Sequence, residues 1–183
     1  GDYFFHSMNR RRSRVGLAIL IGSVAPDVPL YLLSFGGLIW FRWFEGWDWP
    51  EVGRHMYANL FYNDPIWISL HNLLHSPLVL VTVLAFLLSR RPLSECRRSA
   101  IFWFFASCLL HTLVDIPVHY DDGPLIFWPL NWQYRFASPV SYWDFDHHAR
   151  PVVIAELALW ATFVLWTLYR LVVRKFVAEN QST

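Results

Sequence analysis

The sequence predicts an all-α, polytopic membrane protein. Four transmembrane helices carry two long aromatic-rich loops on the outer side, all within one integral-membrane domain, residues 1–183. Three observations predict this. The 183-residue chain is 55% hydrophobic and only 16% charged, with 11 Trp and 15 Phe, too apolar and aromatic for an ordinary soluble domain. Four stretches, residues 15–39, 66–88, 99–118 and 152–173, approach or exceed the ~20 residues that a helix needs to cross a bilayer. Basic residues cluster on one side of those stretches. Arg10, Arg11, Arg12 and Arg14 precede the first, Arg90, Arg91, Arg97 and Arg98 separate the second from the third, and Arg170, Arg174 and Lys175 end the fourth. The other side holds only Arg42, Arg54, Arg135 and Arg150. The positive-inside rule therefore sets both termini in the cytoplasm and both long loops outside.

Composition also excludes classes. A net charge of +1 gives no reason to invoke nucleic acid. Cys96 and Cys108 are the two cysteines, beside and within an apolar segment, which argues against a disulfide framework or a Cys-based zinc site. The Arg-rich start, the apolar run after it and Ser23-Val24-Ala25 imitate a signal peptide. Pro26 directly after the would-be cleavage point argues for an uncleaved first helix.

Taken in order, the first span is interrupted by Ala25-Pro26-Asp27-Val28-Pro29. Each proline removes a backbone donor and crowds the preceding turn. Irregular backbone at membrane depth is tolerated only inside protein or along a cavity, so Asp27 is expected to face a polar interior site. The first outer loop, residues 41–64, is flanked or entered by Trp40, Trp43, Trp47 and Trp49, a pattern for an interfacial helix or flap that anchors the chain or covers a substrate. Asn63-Asp64-Pro65 marks a helix start. The second span opens with His71 and His75, one turn apart, followed by Ser76-Pro77. Ser94 is expected to cap the third helix. The second outer loop, residues 121–150, holds Asp121, Asp122, Asp144, Asp146, His147 and His148 among Trp128, Trp132 and Trp143; Pro124, Pro129 and Pro139 predict an irregular cap. Asp146-His147-His148 reads equally as late metal ligands or as a solvated turn. Pro151 starts the fourth helix, whose apolar core has Glu156 as its ionisable group.

The chemistry concentrates where the third span ends. His111, Asp115 and His119 recur at every fourth position, which on a helix stacks them along one face. An imidazole and a carboxylate one turn apart can grip the same cation. At 1.5 Å per residue, Asp27 and His111 lie roughly 12 Å, Asp115 about 6 Å, His71 about 8 Å and His75 about 14 Å below the outer edge of a ~30 Å core. Five ionisable groups on three spans thus fall in one layer. Left unpaired there, each charged group costs about 2.5–3.5 kcal/mol, a penalty that a shared divalent cation removes. Carboxylates mixed with imidazoles favour zinc, manganese or iron over copper or calcium.

These motifs resemble those of a family of polytopic bacterial inner-membrane proteins described as metal-dependent hydrolases, a branch of which is often labelled as a cobalamin-biosynthesis protein. The resemblance rests on Gly22-Ser23-Val24-Ala25-Pro26-Asp27, His71-Asn-Leu-Leu-His75-Ser76, His111-Thr-Leu-Val-Asp115, and the tail Ser138-Pro139-Val140-Ser141-Tyr142-Trp143-Asp144 with His147-His148. It implies that Asp27, His71, His75, His111 and Asp115 bind metal, in a bacterial inner membrane. The chain departs from the family at two points. A short Pro-x-His opening is absent, leaving His6 as its one stand-in, and Pro29 stands where many relatives carry a second Asp.

The leading expectation is a hydrolase with its site near the outer membrane face, acting on a phosphoester or another lipid-linked ester. Asp27 or Asp115 serves as its general base. His119, Asp122, Asp144, His147 and His148 are further candidate ligands, and Asp121 with Asp122 could hold a second ion or orient a ligating His. The competing expectation is a non-catalytic accessory subunit of a larger membrane complex, with membrane lipid and partner subunits as its neighbours. Haem binding by His pairs, or an ion path through the same groups, fits less well: haem has no need of the carboxylates, and the inner halves of the spans are apolar.

Overall fold

The computed structural model describes residues 13–180, with side chains described through Val173. His6, Arg10, Arg11 and Arg12, and the side chains of Arg174 and Lys175, lie outside the described residues. Every regular element among those described is helical. Among the described residues, β pairing is confined to one isolated antiparallel bridge between Leu125 and Arg135.

The first apolar stretch is two helices, not one. α1 (Ser13–Gly22) ends in a turn over residues 23–27, and α2 (Val28–Ile39) begins anew with Pro29 in its first turn. Proline is tolerated there because a first-turn N–H has no partner within the helix. α2 winds on through the π-helical turns Trp40–Phe44.

The Trp-rich segment is also helical. Asp48 accepts the Glu51 N–H at 2.8 Å and opens α3 (Trp49–Gly53), which runs through the π-helical Arg54–Leu60 into α4 (Phe61–Asn63). Val52, Met56 and Phe61 from this segment bury with Trp67 against Leu30, Leu33, Phe41 and Trp47. The segment is therefore a packed flap lying on α2 and on α5 (Pro65–Asn72), whose start Asp64 caps by accepting from Ile66 N at 2.9 Å and Trp67 N at 3.0 Å.

The second apolar stretch breaks as well. α5 stops at Asn72, and α6 (Pro77–Arg90) leaves at a bend of 44°. The next short helix is α7 (Leu93–Cys96), which contains Ser94. The cap of α8 (Ala100–Asp115) is instead Ser99, whose hydroxyl faces Phe102 N at 3.5 Å. Pro92 and the extended backbone of Ser99 make Leu93–Cys96 a separate turn, so Ser94 does not cap the third helix. A 3₁₀ turn, Ile116–Val118, extends α8, and α9 (Ala149–Asn180) closes the chain.

Among the described residues, two helices are long and apolar enough to cross a membrane: Ala100–Val118 and Ala149–Val173, 19 and 25 residues. The bent pair α5–α6 makes a third if it counts as one span, while α1 and α2 are each shorter. The four expected spans, the first of them interrupted as its prolines predict, are thus reduced by breaks over residues 23–27 and, against expectation, over residues 73–76. Both breaks adjoin prolines that cannot donate into a helix.

Both breaks lie beside the end of α8. The Ser107 hydroxyl donates to the Ile19 carbonyl at 2.9 Å, and Gly22 touches α8 so closely that a Cβ there would collide with the Phe104 carbonyl oxygen. α6 packs along α8 on another side. The cap over residues 119–148 is irregular apart from the 3₁₀ turn Phe145–His147, as its prolines predict. Buried polar side chains pin it down. Asn72 Oδ1 accepts Leu125 N at 2.7 Å, Ser76 Oγ donates to the Trp128 carbonyl at 2.9 Å, and Ser138 Oγ donates to the Pro117 carbonyl at 2.6 Å. α9 leaves from the cap, and none of its apolar window is buried against the rest of the described chain.

Candidate metal centre

Three interruptions of regular helix place four ionisable side chains together. Asp27 ends the turn between α1 and α2, His75 sits in the break between α5 and α6, and His111 with Asp115 occupies the last turns of α8. One ligand atom from each lies within 4.8 Å of the other three. His75 Nε2 is 2.8 Å from Asp115 Oδ2; His111 Nε2 is 3.0 Å from the same oxygen and 3.5 Å from Asp27 Oδ1. Donor atoms bound tetrahedrally to one ion at about 2.0–2.1 Å are separated by roughly 3.3 Å, so these spacings suit a shared cation.

His111 provides the test of fit. The Ser23 carbonyl faces its Nδ1 at 2.9 Å and can only accept, so Nδ1 carries the proton. In the neutral ring, Nε2 is then a bare lone pair, aimed at two carboxylates. It is buried and makes no hydrogen bond. Lone pair against carboxylate is repulsive, and a positive charge between them, whether a proton on Nε2 or a bound metal ion, reverses the sign. A backbone carbonyl that fixes the tautomer of a ligating His is the usual outer support of such sites. The residues present fit a divalent ion.

The exposure of the four grades in one direction. The side chain of His75 is 3% exposed and that of Asp27 is 31% exposed, with His111 and Asp115 between them. The centre therefore opens on the Asp27 side. Tyr142 lies in electrostatic reach of Asp27 and Asp115, and its phenol is pushed up to about 12 by burial, then by Asp122, Tyr31 and those two carboxylates. At neutral pH it is a protonated donor beside an acidic site.

The remaining sequence candidates are not brought into the group of four. His71 is buried next to it, its ring 4.8 Å from that of His75, with Nδ1 unpartnered. The helix ends at Asn72, so the one-turn relation between His71 and His75 crosses a break and their rings meet edge-on. His119 loses the α8 register because Pro117 tightens the last turn and His119 itself is extended. It pairs with Asp122, Nδ1 to Oδ1 at 3.0 Å, while Trp143 Nε1 donates to Asp122 Oδ2 at 2.8 Å. Burial raises the Asp122 carboxyl, but the His119 and Trp143 partners outweigh it and hold the group below its ordinary value. Asp144 and His147 pair with one another at 2.7 Å, and the His147 hydrogen bond lowers the Asp144 carboxyl. His148 ends that 3₁₀ turn in the left-handed conformation, φ 62°.

Three supporting groups escaped the sequence reading: the Ser23 carbonyl, Asn72 and Ser76. A buried polar residue beside a proline or a helix break is the signal that could have found the last two.

The chain matches no protein-family model, no curated protein and no solved structure. What fold and site define is a class: a helical protein with at least two membrane-length apolar helices and a His/Asp group able to hold a metal ion.

Proposed function

We propose that this chain is a metal-dependent hydrolase embedded in the bacterial inner membrane, related to the family its motifs resemble, and that it acts on a phosphoester or other lipid-linked ester. The observation that carries this reading is His111, whose Nε2 is turned by the Ser23 carbonyl toward Asp27 and Asp115 with His75 alongside. In the membrane, α1–α2 and α5–α6 each act as one broken span. That gives four crossings with both termini cytoplasmic and the cap outside, in accord with the distribution of arginines.

His75, His111, Asp115 and Asp27 would hold the ion, with zinc the best match to two imidazoles and two carboxylates and manganese or iron next. A bound divalent ion supplies Lewis acidity and lowers the pKa of water to about 7. The chain's own residues do the rest. The Ser23 carbonyl fixes the ring of His111. Asp27, the more exposed carboxylate, takes the proton from the attacking water, and Tyr142 donates to the oxygen on which charge develops. The flap on α2 and α5 limits access of bulk water.

The test is hydrolysis of a chromogenic phosphodiester and of a lipid ester by detergent-purified protein, before and after chelation. Activity that zinc restores, and that His111→Ala abolishes together with metal content, is the expected result. A metal-replete protein inert toward both would remove the hydrolase reading. One observation favours a second role, as an accessory subunit: the apolar window of α9 is unburied by the rest of the described chain, which leaves it for lipid or for partner helices. That role predicts a stoichiometric membrane partner in gentle-detergent purifications.

A further inference from the structure

The flap on α2 and α5 holds a cleft of its own. It measures about 350 Å³ and is lined by Trp47, Glu51, Arg54, His55, Ala58 and Asn59. That is the small end of the range for ligand clefts, suited to a headgroup rather than to a whole lipid. None of the six residues belongs to the group of four around His111.

Local structure builds the cleft. Asp48 accepts the Glu51 N–H at 2.8 Å and starts α3, and the turns that follow, Arg54–Leu60, are π-helical. Bonding from i to i+5 widens the turn, so residues four and five apart share one face, here Arg54, His55, Ala58 and Asn59. Seven residues of π-helix are uncommon, and such turns occur frequently at functional sites. Trp47 adds a wall. Its ring stacks on Phe41 at 4.9 Å between centroids and meets the His55 ring edge-on at 5.0 Å, while Arg42 Nη1 donates to its carbonyl at 3.4 Å. Ala58, with only a methyl group, leaves the space open.

The polar groups of the cleft are unused. Among the described residues, every ion pair within 4.0 Å involves a histidine, and none involves Glu51, Arg54 or His55. The Glu51 carboxylate, the Arg54 guanidinium, the His55 ring nitrogens and the Trp47 indole N–H make no hydrogen bond within the described chain, and none of them is sealed from solvent. Asn59 accepts from Asn63 and keeps its amide N–H groups free. Glu51 and Arg54 thus stand about one turn apart, a negative and a positive charge side by side but unjoined.

An ethanolamine phospholipid headgroup carries the complementary pair, a phosphate two carbons from an ammonium. Arg54 suits the phosphate, since a planar guanidinium matches two of its oxygens, and the N–H groups of Trp47 and Asn59 add donors beside it. Glu51 is the acceptor for the ammonium. The same flap presents Trp40, Trp43, Phe44 and Trp49, each more than half exposed. Such aromatic belts are how membrane proteins meet the headgroup layer.

We propose that the flap cleft binds the headgroup of a zwitterionic phospholipid, its phosphate on Arg54 and its ammonium on Glu51. The site is separate from the metal centre, and neither metal nor turnover enters its test.

Native mass spectrometry of the detergent-purified full chain, with phosphatidylethanolamine, phosphatidylglycerol or diacylglycerol added to neutral micelles, measures the lipid retained. The wild type should hold phosphatidylethanolamine about tenfold more tightly than diacylglycerol, which lacks the phosphate and its charge-assisted hydrogen bonds. Arg54→Gln should remove that margin. So should Ala58→Leu, which fills the cleft at unchanged charge. Glu51→Gln should keep the margin and erase the preference for phosphatidylethanolamine over phosphatidylglycerol. All three positions are exposed, so melting temperature and metal content should stay at wild-type values. Equal retention of phosphatidylethanolamine and diacylglycerol by the wild type overturns the proposal, as does a margin that survives both Arg54→Gln and Ala58→Leu. Tighter wild-type binding of phosphatidylglycerol than of phosphatidylethanolamine overturns it too. A margin lost in both variants only together with a lowered melting temperature counts against it, as the mark of a disturbed flap. Failure on any of these leaves the hydrolase reading standing, and a chain found free of metal can still pass.

Discussion

Replacing Gly22 by Ala tests whether the contact between α1 and α8 sets the geometry of the centre. A Cβ at Gly22 would collide with the Phe104 carbonyl oxygen and stand 3.0 Å from Ser107 Cβ. The obstacle is helix backbone, which cannot rotate aside, so α1 must withdraw by roughly 1 Å, and overpacking of this kind costs about 1–3 kcal/mol. Two hydrogen bonds cross the same contact, Ser107 Oγ to the Ile19 carbonyl and His111 Nδ1 to the Ser23 carbonyl, each at 2.9 Å. Withdrawal stretches both, frees the ring of His111 and carries Asp27 away from its 3.5 Å approach. Loss of such outer support lowers metal affinity by about 10–100-fold. A competition titration with a chromogenic zinc chelator in detergent reads that loss directly, and a thermal melt reads the packing term. Gly16 is the control, because a Cβ there meets nothing within 4 Å. Gly16→Ala should leave both readings unchanged. Wild-type zinc affinity in Gly22→Ala would refute the claim that the α1–α8 contact positions His111 and Asp27.

Further predictions follow from the same geometry. Asn72→Ala leaves the buried Leu125 N–H without its acceptor, at about 1–3 kcal/mol; faster proteolysis within residues 121–148 should report the loosened cap. The folded-state carboxyl of Asp122 lies below its ordinary 3.8. Its pairing with His119 therefore contributes stability that is present above the unfolded value and lost as pH falls through the folded one. A melt series from pH 6 downward should show that loss in the wild type and a shallower slope in Asp122→Asn. Glu156 stands on an unburied helix away from the centre, so Glu156→Gln should change neither metal content nor activity. Cysteine labelling at Arg97 and Trp132, in a background without Cys96 and Cys108, should find the two on opposite sides of the membrane; labelling from the same side contradicts the topology.

Much of the site was legible because membrane depth and helical spacing constrain the same residues. The spacing of His111 and Asp115 gives one wall of the centre, and the cost of burying Asp27 in an apolar segment gives the opposite one. His75 follows from the matching layer. The sequence reading extended the pattern too far in both directions. His71 and His119 have the right spacing on an ideal helix, but α5 ends between His71 and His75, and Pro117 breaks register before His119. Spacing alone does not reveal where a helix stops. The prolines of the first stretch signal the break that the structure shows, whereas Ser76-Pro77 carries the same signal in the second, where no break was expected. The flap was half legible: its tryptophans mark an interface, and the packing of Met56 and Phe61 onto Trp67 depends on long-range contacts that no local pattern encodes. The cap histidines were hardest to place, because residues outside helices have neither depth nor period to constrain them.

The central claim is that Asp27, His75, His111 and Asp115 form one metal centre. Elemental analysis of the detergent-purified full chain, combined with zinc-edge X-ray absorption, tests it most directly. The account predicts about one metal ion per chain, bound by nitrogen and oxygen at about 2.0–2.2 Å with two imidazoles in the scattering pattern. The ion should be lost in His111→Ala and in Asp115→Ala, and kept in His147→Ala. A wild-type chain with no metal above background after zinc addition, or an ion that survives His111→Ala and disappears in His147→Ala, would contradict the account.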